Sequence, residues 1–186
     1  MPVLEVRRHS IRKAGGGSQL SQAGVDLARG VGAGIGPFVR VVTSVVPRSR
    51  ETAIAMGFAV DEELVTWVSD TAVYEELATI NWADEPLPFV AIARQLGTGG
   101  AYKRYAHLVS ALWRDFLTPL TGDDAVLFIG HSGELEAALV ACFPAADQAS
   151  WGQPFGPLEG ARLFFSGEPA HFNRLELLRQ PFAGVT

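Results

Sequence analysis

Hydrophobic positions along the chain follow two rhythms. Short, nearly continuous apolar runs at Val3–Val6, Val39–Ser44 and Ala125–Ile129 read as buried strands. The run at 125–129 carries no charge, which fits a central strand covered on both faces. Elsewhere the spacing is helical. Leu27, Ala28, Val31 and Ile35 predict a helix opened by Ser21 as N-cap. Pro47 suits the first turn of a second helix over 48–56. Tyr105, Leu108, Val109, Leu112, Trp113 and Phe116 line one face of a helix over Ala101–Leu117. Leu135, Ala138, Leu139 and Cys142 mark another after the 125–129 strand. Leu64–Val68 reads as a further strand, and 161–166 and 171–177 as two strands joined by a Gly167–Pro169 turn.

Strands alternating with helices predict an α/β fold, a three-layer sandwich with a mostly parallel central sheet. The 186 residues suit one domain. Residues 70–100 break the rhythm with Pro86, Pro88 and the Gly99-Gly100 pair, and read as a lid-like insertion with one short helix near Phe89–Leu96. The glycines at 15, 16 and 17 form a loop without the Gly-Lys-Ser/Thr ending of a nucleotide loop.

Composition narrows the function. Twenty acidic against fifteen basic residues give a net charge of −5, so no basic surplus exists for unspecific nucleic-acid binding. A single Cys, Cys142, excludes an internal disulfide and a Cys-based metal cluster, and leaves a reducing, cytoplasmic setting as the expectation. No run approaches the roughly 18 apolar residues needed to cross a bilayer. No metal-ligand spacing of His or acidic residues occurs, so neither metal nor cofactor is expected. The oligomeric state stays open.

Two of the four histidines share a context. His9 follows the strand at 3–6 and His131 the strand at 125–129. Ligands of open α/β sheets bind beyond the carboxyl ends of the strands. Arg8 precedes His9, and Arg48 follows the strand at 39–44. Each alone fits a solvated loop or helix start. Two His and two Arg at matching strand ends form a pocket for a phosphoryl dianion. Arg7 points to the opposite face of its strand from Arg8, and Arg50 does not share a helix face with Arg48.

These residues resemble the histidine phosphatase superfamily, which includes the phosphoglycerate mutases. Arg8-His9-Ser10 is similar to its Arg-His-Gly signature, and Leu20-Ser21-Gln22-Ala23-Gly24 to its Leu-Thr-x-x-Gly element. Ser44 to Ala53 resembles its Ser-Pro-Leu-x-Arg-Ala-x-Gln-Thr-Ala element, and Ile129-Gly130-His131-Ser132-Gly133 its late His-Gly-Gly element. The resemblance implies a phosphoglycerate mutase-like fold and a metal-independent phosphoric monoester hydrolase of the histidine acid phosphatase type. His9 would be the nucleophile, with Arg8, Arg48 and His131 on the phosphoryl oxygens. The general acid would be Glu75 in Val73-Tyr74-Glu75, with adjacent Glu76 left open. Ser10 replaces the signature Gly; it either adds a hydroxyl contact to phosphate or restricts the backbone.

The expected reaction is hydrolysis of a small phosphorylated substrate. A mutase-type phosphotransferase and a non-catalytic phosphoryl-binding protein are the alternatives. Trp82, Arg94, Tyr102, Lys103 and Arg104 are the candidates for substrate selectivity.

Overall fold

The computed structural model describes all residues except 16, 66–69, 81–84, 168–169 and 181–186. Six strands form one sheet: β1 Val3–Arg8, β2 Arg40–Ser44, β3 Glu62–Leu64, β4 Ala125–Gly130, β5 Gly160–Gly167 and β6 Ala170–Leu178. Their order is β3-β2-β4-β1-β5-β6. β1, β2, β3 and β4 pair in parallel, and β5 runs antiparallel to both its neighbours. The fold is therefore the α/β sandwich with a mostly parallel sheet that the pattern predicts.

Alternation along β4 shows why it lies in the middle. Leu127 and Ile129 pack on one face with Val41, Ala28, Ala53 and Met56. Val126 and Phe128 pack on the other with Leu4, Val6 and Val42. Successive side chains point to opposite faces of a strand, and here both faces are covered. The first face carries the helices α1 Gln22–Gly32 and α2 Pro47–Ala55. The second carries α3 Thr71–Ala78, α4 Pro88–Gly97, α5 Gly100–Leu117 and α6 Glu134–Cys142.

The glycines that weaken α1 in isolation have a use in the packed protein. A Cβ on Gly24 would sit 2.1 Å from the Ile11 carbonyl oxygen, and one on Gly32 equally close to that of Met56. Both helix faces need bare backbone there.

Three expectations change. The third strand spans 62–64, earlier than the 64–68 expected, and residues 66–69 lie outside the described part. The buried face of α5 runs through Tyr102, Ala106, Val109, Trp113 and Phe116, which leaves Leu108 66% exposed. Small Ala101 and Ala106 turn that face toward the core. The 70–100 segment also differs from a lid. It holds two helices, and Val73, Leu77, Phe89, Ile92 and Leu96 belong to the main core. The signals were Asp70, which caps α3 by accepting from the amides of Ala72 and Val73, and the spacing 73, 77, 80. Trp82 and the tip of the terminal hairpin at 168–169 lie outside the described residues.

Candidate active site

β1 and β4 are parallel neighbours, with Arg8 opposite Gly130 in register. The next residue on each chain is a histidine. The His9 amide donates to the Gly130 carbonyl at 3.0 Å. Both imidazoles thus leave the sheet at one edge, with ring centroids 5.2 Å apart.

β2 ends beside them, and Pro47 opens α2. Arg48, the next residue, reaches back over the sheet edge. Its Nε donates to His9 Nε2 at 2.9 Å and its Nη2 lies 3.2 Å from His131 Nδ1. A guanidinium only donates, so both of these ring nitrogens accept.

That settles the tautomers. His9 Nδ1 lies 2.7 Å from the Ser10 carbonyl oxygen, which only accepts. The proton of His9 is therefore on Nδ1, and the Nε2 lone pair faces the pocket. His131 carries its proton on Nε2 and donates it to Ser44 Oγ at 2.7 Å. Burial, with the charges of Arg48, Arg8 and Arg12 added, pulls the His9 pKa down to about 4. Burial, then the neighbouring His9, Arg48 and Arg8, pulls His131 down to about 3. Both imidazoles are neutral at neutral pH, as a nitrogen nucleophile must be.

Arg8 donates to the Phe155 carbonyl at 2.6 Å. Its Nε is buried without a hydrogen-bond partner among the described residues. Arg7 lies on the other face of β1, bonded to Glu5 at 2.6 Å and to the Leu158 carbonyl. Arg50 pairs with Glu63 at 3.2 Å. Neither joins the site.

Arg8, His9, Arg48 and His131 line one cleft of about 400 Å³. Ser10, Ile11 and Arg12 line it from the loop after β1, and Ser132 and Pro157 from across it. The Ser10 hydroxyl itself is fully buried and donates to the Gly24 carbonyl at 2.7 Å, while its amide donates to Thr52 Oγ1 at 3.0 Å. The expected phosphate contact of that hydroxyl is thus replaced by a tie to α1.

Glu75 departs further from expectation. It is exposed on α3 and does not line the cleft. Position 75 lies about 200° around the helix from the buried Val73. Glu76 has a different task. Its carboxylate accepts from the amides of Ala101 at 2.7 Å and Tyr102 at 3.0 Å, and so caps α5. Those two amide bonds hold its pKa below the usual carboxylate range.

Tyr102 is buried, and its hydroxyl donates to the Gly133 carbonyl at 2.7 Å, behind the site rather than in it. Arg94 and Arg104 are exposed on α4 and α5, Lys103 is half-buried, and none lines the cleft.

Sequence reasoning missed the supports of His131. Glu134 Oε2 accepts from the His131 amide at 3.1 Å, and Tyr105 donates to Oε1 at 2.5 Å. Burial raises the Glu134 pKa to about 7. Glu136, also buried, accepts from the Gly133 amide at 2.5 Å, Phe155 at 2.8 Å and Ser132 Oγ at 3.0 Å. Two acids in the first turn of an otherwise apolar helix were the available sign, since carboxylates there meet free amides.

No family model matches the sequence, and no curated protein matches it significantly. Solved structures do. A phosphoserine phosphatase from Entamoeba histolytica matches with a TM-score of 0.59 at 13% identity, covering 97% of this chain and 98% of its own. A mycobacterial glucosyl-3-phosphoglycerate phosphatase matches with a TM-score of 0.57 at 18% identity, covering 95% and 98%. The likeness is one of fold, an α/β sandwich around a mostly parallel sheet, over nearly the whole of each chain. The structure of mycobacterial hydrolase 1 is similar to the same extent, with a TM-score of 0.58 at 19% identity over 95% of this chain and 97% of its own. Within this fold the parallel pairing of β1 and β4 sets their ends side by side and so brings His9 and His131 together.

Proposed function

We propose that this chain is a metal-independent phosphatase that hydrolyses small phosphate monoesters through a phosphohistidine on His9. One observation carries the reading. His9 holds its only proton on Nδ1, against the Ser10 carbonyl, and turns the Nε2 lone pair into a cleft that Arg8 and Arg48 make positive.

In the first step the Nε2 lone pair forms a bond to phosphorus, and the bond from phosphorus to the ester oxygen breaks. Arg48 moves its Nε donor from His9 to a phosphoryl oxygen. Arg8, Arg48 and neutral His131 stabilise charge on the equatorial oxygens. In the second step water attacks phosphorus, and inorganic phosphate and free His9 are released. A nucleophilic histidine divides one displacement into two easier ones.

Among the described residues no carboxylate lines the cleft. The leaving oxygen therefore takes its proton from water, and esters of acidic alcohols and phenols are the preferred substrates. Ser10 leaves the cleft open, because its hydroxyl is spent on Gly24; this supports turnover over simple phosphoryl binding.

Rapid quenching with phosphorus-labelled nitrophenyl phosphate tests the reading. Acid-labile, base-stable label is expected on the protein and is lost in His9→Ala. Label on Ser10 would overturn it. Transfer of the label to phosphoglycerate instead of water would make the protein a mutase.

A further inference from the structure

The cleft holds a third guanidinium that the reaction leaves unused. Arg48 is engaged with both imidazoles and lies 3.4 Å from Ser18 Oγ. Arg8 is anchored on the Phe155 carbonyl. Arg12 lines the same cleft, yet among the described residues no hydrogen bond or ion pair holds its side chain.

Its backbone is fixed all the same. Arg12 pairs with Leu20 in an antiparallel bridge. On either side of it the Ser21 amide donates to the Ile11 carbonyl at 2.9 Å, and the Lys13 amide to the Gln19 carbonyl at 3.0 Å. Gly24 lets α1 close against Ile11, where any Cβ would clash. A charged side chain on so firm a base is aimed rather than adrift. Its charge reaches Arg8, His9 and Arg48, and lowers the pKa of each.

Burial grades the three arginines. Arg8 and Arg48 are half-buried beside the histidines, and Arg12 is exposed at the rim. Three like charges around one cleft, with no acid lining it among the described residues, repel one another unless anions share the space. A phosphoryl dianion at His9 balances the inner pair and leaves the outer one.

We propose that Arg12 binds a second anionic group of the substrate, so that the site takes phosphate monoesters bearing a carboxylate or a second phosphate a few atoms from the ester oxygen. The proposal rests on the reading that the phosphoryl group sits at His9. The planar fork of Arg suits either oxyanion, with two parallel hydrogen bonds.

Binding, measured without turnover, separates this proposal from the phosphatase reading. Calorimetry on the His9→Ala protein would compare 2-phosphoglycolate and propane-1,3-diol bisphosphate with propyl phosphate. The two ligands with a second anion are expected to bind at least about 10-fold more tightly, the scale of one charge-assisted contact. Whichever of them binds tighter identifies carboxylate or phosphate as the preferred partner. Adding Arg12→Gln should erase the gap. Adding Lys13→Gln, which removes the same charge one residue away and outside the cleft lining, should keep it. No gap, or a gap that survives Arg12→Gln or vanishes equally with Lys13→Gln, overturns the proposal. A missing phosphohistidine alongside an intact gap would instead sink the phosphatase reading alone.

Discussion

Arg48 Nε points its hydrogen at the lone pair of His9 Nε2, 2.9 Å away. In the proposed mechanism this one side chain holds the attacking nitrogen in aim and must release it for attack. Arg48→Gln is expected to lower kcat on nitrophenyl phosphate by about 10²–10³, the usual cost of removing a donor to a developing oxyanion. It should also raise the His9 pKa, because the cation that helps depress it is gone. Steady-state kinetics and an NMR titration of the ring read the two effects. Unchanged kcat would remove Arg48 from the mechanism.

Leaving-group dependence is the second expectation. With no carboxylate among the described residues that line the cleft, nitrophenyl phosphate should turn over faster than an alkyl phosphate by about 10²–10⁴, the contribution a general acid makes where present. Glu75→Gln should leave both rates within about 2-fold, since Glu75 is exposed on α3. A selective loss on the alkyl ester in Glu75→Gln would restore Glu75 as the acid.

Glu76→Ala should act on stability alone. It removes the cap on the Ala101 and Tyr102 amides, a change worth about 1 kcal/mol. For a chain of this size that lowers Tm by roughly 2–4 °C. The ratio of aryl to alkyl rates should not move.

Ser10→Ala separates a structural hydroxyl from a substrate contact. The Gly24 carbonyl would lose its 2.7 Å donor inside the protein, which costs about 1–3 kcal/mol. Tm should fall while KM for nitrophenyl phosphate stays within about 2-fold. A large rise in KM with unchanged Tm would place the hydroxyl on the phosphate after all.

Acid should destabilise the fold through its histidines. The His9 pKa falls from 6.5 to about 4 on folding, chiefly by burial. A depressed folded pKa gives stability that is complete above about 6.5 and is lost as pH falls toward 4. Between pH 6.5 and 5 the loss from His9 is on the order of 2 kcal/mol. Glu134 works in the opposite sense, because its pKa rises from 4.5 to about 7 and its neutral form is favoured as pH drops. Urea midpoints at pH 7 and pH 5 should differ less in His9→Asn than in the parent chain. An equal difference would show that His9 is solvated in the fold.

The strands and the histidine pair were legible because both depend on short sequence patterns: an apolar run, then a charged stop. Arg48 was legible for the same reason, following Pro47 at a helix start. Arg12 was not. It reaches the cleft only because residues 11–13 bond to 19–21, a pairing across a glycine loop that leaves no local pattern. The positions of Glu75 and Glu76 were not legible, because residues 71–78 read as part of an irregular insertion. Once Asp70 caps them into a helix, the period of 3.6 carries Glu75 to solvent and Glu76 to the start of α5. The supports of His131 were hidden for a different reason. Glu134 and Glu136 are acidic residues that burial normally disfavours, and the amides near the start of α6, with Tyr105, Ser132 and the Phe155 amide, make them tolerable.

His9 and His131 stand one step past a matched pair of the sheet, Arg8 and Gly130, and the His9 amide still holds the Gly130 carbonyl. The machinery is thus rooted where the molecule should open last. Loops elsewhere can fray, exchange their amide hydrogens or be nicked by a protease while the two rings keep their spacing. Loss of catalysis in denaturant should then coincide with collapse of the whole sheet, and a partly active, partly unfolded species should not accumulate.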